Sequence, residues 1–164
     1  MEYISYQNLL EERLRRNFDI EKDYVYRETK LDIMAKYNIR NERYIATKKA
    51  TIYAFENNEY CMIKHFQRID KDGLHTYTEL LKSAVEDFVK IHDEHMSTLI
   101  TGVIVLDEHP DDEIIHLVKK FKFHKSYAFG FKGWADVALV LVSLNQNEVI
   151  TNKKGKEVLK AYRL

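Results

Sequence analysis

A single cysteine, a single proline and five glycines occur in 164 residues. Cys61 has no second cysteine with which to close an intramolecular disulfide, so the chain is expected in a reducing compartment, the cytoplasm. So little Pro and Gly leaves no stretch with the composition of a linker, and no segment repeats at a period of roughly 20–50 residues. Residues 1–164 therefore read as a single globular domain. An excess of one charge is also missing, because 26 Lys and Arg balance 26 Asp and Glu. The global field then gives no reason for strong attraction to nucleic acid or anionic lipid. The longest apolar run, 135–144, is interrupted by Asp136 and falls short of the roughly 20 residues that span a bilayer, so no membrane partner is expected. The opening MEYISYQNLLEERLRRNF lacks the apolar core and small-residue cleavage site of a secretory signal. Absent too are a Gly-x-Ser-x-Gly elbow, a His-Glu-x-x-His metal motif, a dinucleotide glycine fingerprint and a Cys-x-x-Cys pair.

What remains is ordinary globular material, 45% hydrophobic and 32% charged. A chain of this length buries roughly 68–70% of its unfolded surface, so the core needs neither a metal nor a disulfide. Tyr6, Leu10 and Leu14 recur at i+4 and predict a helix over 4–17. Alternation from Leu31 to Ile39 predicts a half-buried strand, followed by strands over 44–55 and 59–66 with a tight turn at Asn57-Asn58. Thr76 to Glu79 has capping-box spacing, and Tyr77, Leu81, Val85 and Phe88 carry that helix toward His92. Residues 99–106 and 138–142 read as central strands covered on both faces. Pro110 opens a short helix through Phe121, Tyr127, Phe129 and Phe131 alternate as a strand, and 153–162 reads as a closing helix. The order is αβββαβαββα, an α+β fold with a mixed sheet flanked by helices.

Three places could carry chemistry. His92 and His95 sit at i and i+3, and a parallel strand near His124 would bring all three imidazoles to one sheet edge, a donor set for a divalent metal. His109 follows a strand and is displaced by about 26–33 Å from His95, which keeps it out. Asp107, Glu108, Asp111 and Asp112 crowd the opposite edge at a helix N-terminus, with Asp136 expected to join them. The early strands mix Lys36, Arg40, Arg43, Lys48 and Lys49 with Tyr37, Tyr44 and Tyr53, as nucleic-acid binders do and as ordinary cross-strand packing also does. In Gly130-Phe131-Lys132-Gly133-Trp134 two aromatics flank a lysine, so Lys132 and Trp134 are candidate ligand-binding residues for a planar molecule. Asn152-Lys153-Lys154-Gly155-Lys156 reads as a polar turn, and Cys61 as a core thiol about 13 Å along a strand from His65.

The segments HDEHMSTLITGVIV, FGFKGWADVALVLV and TNKKGKEV resemble those of small uncharacterised bacterial proteins, a resemblance that implies no function. The order of a helix, three meandering strands, a helix and a strand resembles a restriction-endonuclease-like core. That resemblance implies a metal-dependent nuclease or phosphodiesterase with a degenerate site at Asp32, Glu56 and Lys64. Glu59 and Lys64 are five apart rather than the two that such a site requires. With no complete catalytic constellation, the expected function is a non-catalytic cytoplasmic module that binds a protein partner or a small ligand.

Overall fold

The computed structural model describes the backbone of residues 1–44 and 51–164 and the side chains of 1–39 and 56–164. Helix α1 (Tyr3–Leu14) precedes an antiparallel meander of β1 (Asp19–Tyr26), β2 (Thr29–Tyr44) and β3 (Thr51–Phe66). Then come α2 (Lys71–Phe88), β4 (His95–Leu106), α3 (Asp112–Lys120), β5 (His124–Ser126), β6 (Trp134–Ser143) and β7 (Glu148–Thr151). The strands form one mixed sheet in the order β1-β2-β3-β4-β6-β5, with β7 also on β6. β3, β4 and β6 run parallel, joined across α2 and α3. β5 and β7 are antiparallel to β6 and share its outer edge, β5 at its start and β7 at its end. The fold is α+β with helices on both faces of the sheet.

The meander has its expected three strands, but in different places. β1 is a charged edge strand, joined to β2 by Arg27 and Glu28 at φ 44° and 66°. Two consecutive positive φ values are those of a two-residue hairpin turn whose twist suits the flanking strands. Asn57 and Asn58 make no turn, lying inside β3 opposite Ile39 and Asn38. α2 begins at Lys71 rather than near Thr76, because Asp70 caps it by accepting the Gly73 amide at 2.7 Å. The expected strand through Tyr127, Phe129 and Phe131 is replaced by the three residues of β5 and a loop. The closing helix is instead two 3-10 turns, Lys154–Glu157 and Leu159–Tyr162.

Alternation along β4 and β6 divides the core. Ile100, Ile104, Leu139 and Leu141 face α2 and α3, while Val103, Val105, Val140 and Val142 face α1. Gly102 is required where α2 crosses β4, because a Cβ there would lie 2.3 Å from the Leu81 side chain. One polar side chain enters this core fully paired. Asn152, 1% exposed, accepts the amides of Leu139 at 3.0 Å and Gly155 at 2.7 Å. Its Nδ2 donates to the carbonyls of Phe121 at 3.2 Å and Val137 at 3.1 Å. One amide group thereby joins the end of α3, the start of β6 and the final turns. Each buried partner left unsatisfied costs about 1–3 kcal/mol. Asn152→Ala should therefore lower the unfolding free energy in urea by about 3 kcal/mol or more. Asn152→Asp should fare no better, since a carboxylate would face the Phe121 and Val137 carbonyls.

Candidate functional site

The parallel strands begin side by side, Glu56 opposite His95 and Ser97 opposite Trp134. The register shifts after Glu56, so Met96 is an extra residue in β4 against β3. This end of the sheet is closed by the loop between β5 and β6, and His95 holds the loop in place. At 3% exposed, His95 contacts the Lys132 carbonyl through Nδ1 at 2.8 Å and Thr98 Oγ1 through Nε2 at 2.9 Å. A carbonyl only accepts, so Nδ1 carries the proton, and in the neutral ring Nε2 accepts from the Thr98 hydroxyl. The Tyr127 ring meets the same imidazole edge-on with centroids 5.9 Å apart.

The loop's own backbone completes the frame. Tyr127 N donates to Gly133 O at 2.9 Å, Gly130 N to Tyr127 O at 2.9 Å, and Phe131 N to Ala128 O at 3.0 Å. Ala128, Phe129 and Gly130 have φ of 48°, 55° and 88°. For a residue bearing a Cβ this left-handed region costs roughly 1–2 kcal/mol, and it persists where surrounding contacts over-determine it. Gly133, at φ 82°, packs so closely that a Cβ would lie 2.2 Å from the Met96 carbonyl oxygen. The frame presents Phe129 at 101% exposure and Phe131 at 90%. Ile91 and Trp134 are also exposed, and Lys132 Nζ lies 3.6 Å from the carboxylate of Asp93.

Lys132 and Trp134 thus belong to this loop and its exit. Lys132 is anchored through its carbonyl, and the two phenylalanines project into solvent. His92 and His95 are neighbours, with ring centroids 6.3 Å apart, but each ring has its own partners. His92 Nδ1 accepts the Glu94 amide at 3.2 Å, so Nε2 carries the proton and donates to Glu56. Burial opposes ionisation of Glu56, yet hydrogen bonds from Asn38 and His92 outweigh it and hold the carboxyl below its ordinary range. His124 does not lie on a strand parallel to β4. β5 runs antiparallel to β6, and His124 Nδ1 sits 2.7 Å from Asp136 Oδ1. Among the described residues, no group of three or more His, Cys, Asp or Glu could hold a metal ion, so His92, His95 and His124 do not assemble one.

Asp32, Glu56 and Lys64 do not meet either. Asp32 lies one residue beyond the last β2–β3 pair and accepts the His65 amide at 2.8 Å, while Lys64 Nζ donates to the Lys30 carbonyl at 2.7 Å. Glu56 lies eight residues before Lys64 along β3, about 26 Å at the usual strand rise. A shared metal and water would need all three within a few ångströms.

The acidic edge at the far ends of the strands is a set of separate pairs. Asp107 Oδ1 meets His65 Nε2 at 2.9 Å, Glu108 accepts from Gln67 at 3.3 Å, and Asp111 caps α3 through the Ile114 amide at 2.9 Å. His65 also stacks on Tyr3 with centroids 3.9 Å apart. Asp136 is at the opposite end of the sheet, between His124 and Lys154, because β6 runs parallel to β4 and Asp136 lies near its start. Cys61 is 1% exposed, hydrogen-bonded to Tyr162, and burial pushes its thiol up to about 12, which leaves it protonated at neutral pH. Of the basic early strands, Lys36 pairs with Glu21 at 3.1 Å and lies over the Tyr24 ring, and Tyr37 packs on Phe18. The side chains of Arg40, Arg43, Tyr44 and Tyr53, and all of Lys48 and Lys49, lie outside the described residues. No helix among the described residues is long and apolar enough to cross a membrane.

The model of a family described as Domain of unknown function (DUF8052) matches residues 2–164, so the chain belongs to that family. No curated protein and no solved structure matches it. The loop supplies its own test. Gly133→Ala combines a clash with strain at positive φ, and is expected to lower stability by about 2 kcal/mol or more. It should also accelerate amide hydrogen exchange at Tyr127 and Lys132 relative to the β4 amides.

Proposed function

We propose that this family member is a non-catalytic binding module which engages a protein partner by inserting Phe129 and Phe131 into an apolar socket. The observation that carries the reading is full exposure of two phenylalanines on a loop held in one conformation. Large aromatic side chains anchor interfaces because burying each yields about 1.5–3 kcal/mol, and a prearranged loop loses little conformational entropy on binding. Ile91 and Trp134 supply further apolar surface, and the exposed Asp93 beside Lys132 opposes attraction to anionic lipid. A bacterial cytoplasmic setting accords with the segment resemblance, the lone buried Cys61 and the balanced charge.

The test uses a Phe129→Ala/Phe131→Ala variant. Both side chains are solvated in the free protein, so its melting temperature should stay within about 2 °C of the parent. Partners recovered by crosslinking from a photoreactive group at residue 129 would be purified and titrated by calorimetry. The expected result is at least tenfold weaker binding by the variant. Equal binding by both proteins would sink the proposal. Loop-dependent retention on lipid vesicles, or loop-dependent self-association in sedimentation, would replace the partner protein with a membrane or a second copy.

A further inference from the structure

On the α1 face of the sheet, a groove of about 410 Å³ opens between the end of α1, strands β3 and β4, and the closing 3-10 turns. That volume lies within the range of small-molecule sites. Leu14 and Phe18 form one apolar wall, Val158 and Ala161 the other. The floor is polar. Glu59 and Cys61, two apart on β3, share a face of the strand, and Thr101 is the β4 partner of Cys61. Cys61 is committed to the Tyr162 hydroxyl at 3.1 Å. Glu59 and Thr101 have no hydrogen-bond or ion-pair partner among the described residues, although Thr101 is only 4% exposed.

A carboxylate half-buried without a partner is costly, and burial raises the Glu59 pKa above its ordinary value. The cations nearby do not relieve it. Arg13 Nη1 donates to the carbonyls of Ala161, at 3.1 Å, and of Arg163, and no ion pair joins Lys160 to Glu59. The groove also abuts the C-terminal end of the 12-residue helix α1, whose partial negative charge favours a cation. We propose that the groove binds a small primary amine with an apolar body. Its ammonium donates to the Glu59 carboxylate and the Thr101 hydroxyl, and its body packs between Phe18 and Val158. An anion would meet Glu59 unpaired. A neutral isostere would leave that carboxylate without a cation, and a quaternary ammonium has no N–H for either floor group.

Benzylamine titrated into the full chain at pH 7, with backbone amides followed by NMR, tests this. Saturable shifts are expected at Glu59, Thr101 and Val158, with benzyl alcohol and benzoate at least tenfold weaker. Glu59→Gln should weaken benzylamine at least tenfold while melting no lower than the parent at pH 7. The sign follows from linkage: a carboxyl whose pKa is higher folded than unfolded costs stability as pH rises past the unfolded value, and Gln removes that loss. Thr101→Val, which keeps the shape of the side chain, should weaken the amine without affecting the alcohol. Equal affinity for benzylamine and benzyl alcohol, or no saturable response, would overturn the site. So would a Glu59→Gln protein that melts well below the parent, since Glu59 would then be a structural group. Phe129 and Phe131 play no part in these measurements, so this result and that for the aromatic loop fall separately.

Discussion

The constraint that orders this molecule is burial of β4 and β6 on both faces. Every residue of β4 from Ile100 to Leu106 and of β6 from Val137 to Ser143 is buried. A strand covered on both sides leaves little room for polar side chains along its middle, so apart from Thr101, which lines the groove beside β3, polar chemistry gathers at the strand ends and on the less covered half of β3. The loop anchored by His95 lies at the starts of β4 and β6, and the His65–Asp107 pair lies at the finishes of β3 and β4. The Glu59 groove lies where β3 extends past α1. Asn152 is the exception that shows the rule, reaching the interior with both polar atoms of its amide doubly engaged.

The same burial explains which elements were legible in sequence. Largely apolar runs marked the centres of β4 and β6, and helical spacing marked α1, α2 and α3, because packing imposes those periods directly. β1 escaped because half of Asp19 to Tyr26 is charged and the strand is held chiefly by its ladder to β2. The pair Asn57-Asn58 has turn chemistry, yet backbone pairing to β2 on one side and β4 on the other overrides that preference. At the chain's end, helical spacing over 153–162 gives way to shorter turns. There Asn152 takes the Gly155 amide, while Tyr6 and Arg13 take the carbonyls of Ala161, Tyr162 and Arg163.

Candidate sites were harder to read, since a site depends on strand direction and on which partner each polar atom finds. The metal set at His92, His95 and His124 assumed a parallel β5; antiparallel pairing gives His124 to Asp136 instead. Lys132 lies in the loop that carries Phe129 and Phe131, and Trp134 opens β6, whereas the spacing of Phe129 and Phe131 predicts a strand. Their alternation is real and means something else, because positive φ at Ala128 and Phe129 turns the chain so that both rings leave the surface. Two glycines within four residues, Gly130 and Gly133, were the available sign that this segment was not a regular strand. Glu59 entered the sequence reading only through its spacing from Lys64, which carries no information about a groove that α1 and the last turns build together.

The seat of α1 is completed by residues far away in sequence. The Tyr6 hydroxyl donates to the Tyr162 carbonyl at 2.6 Å across 156 positions, and Arg13 reaches the same final turn. During translation at roughly 5–20 residues per second, the first helix would wait on the order of 8–30 s for the segment that fixes it. Until then the apolar stripe of Tyr6, Leu10 and Leu14 is only partly covered. A helix made early in this domain is thus among the last of its elements to be locked, and the nascent chain spends that interval with the surface open to chaperones.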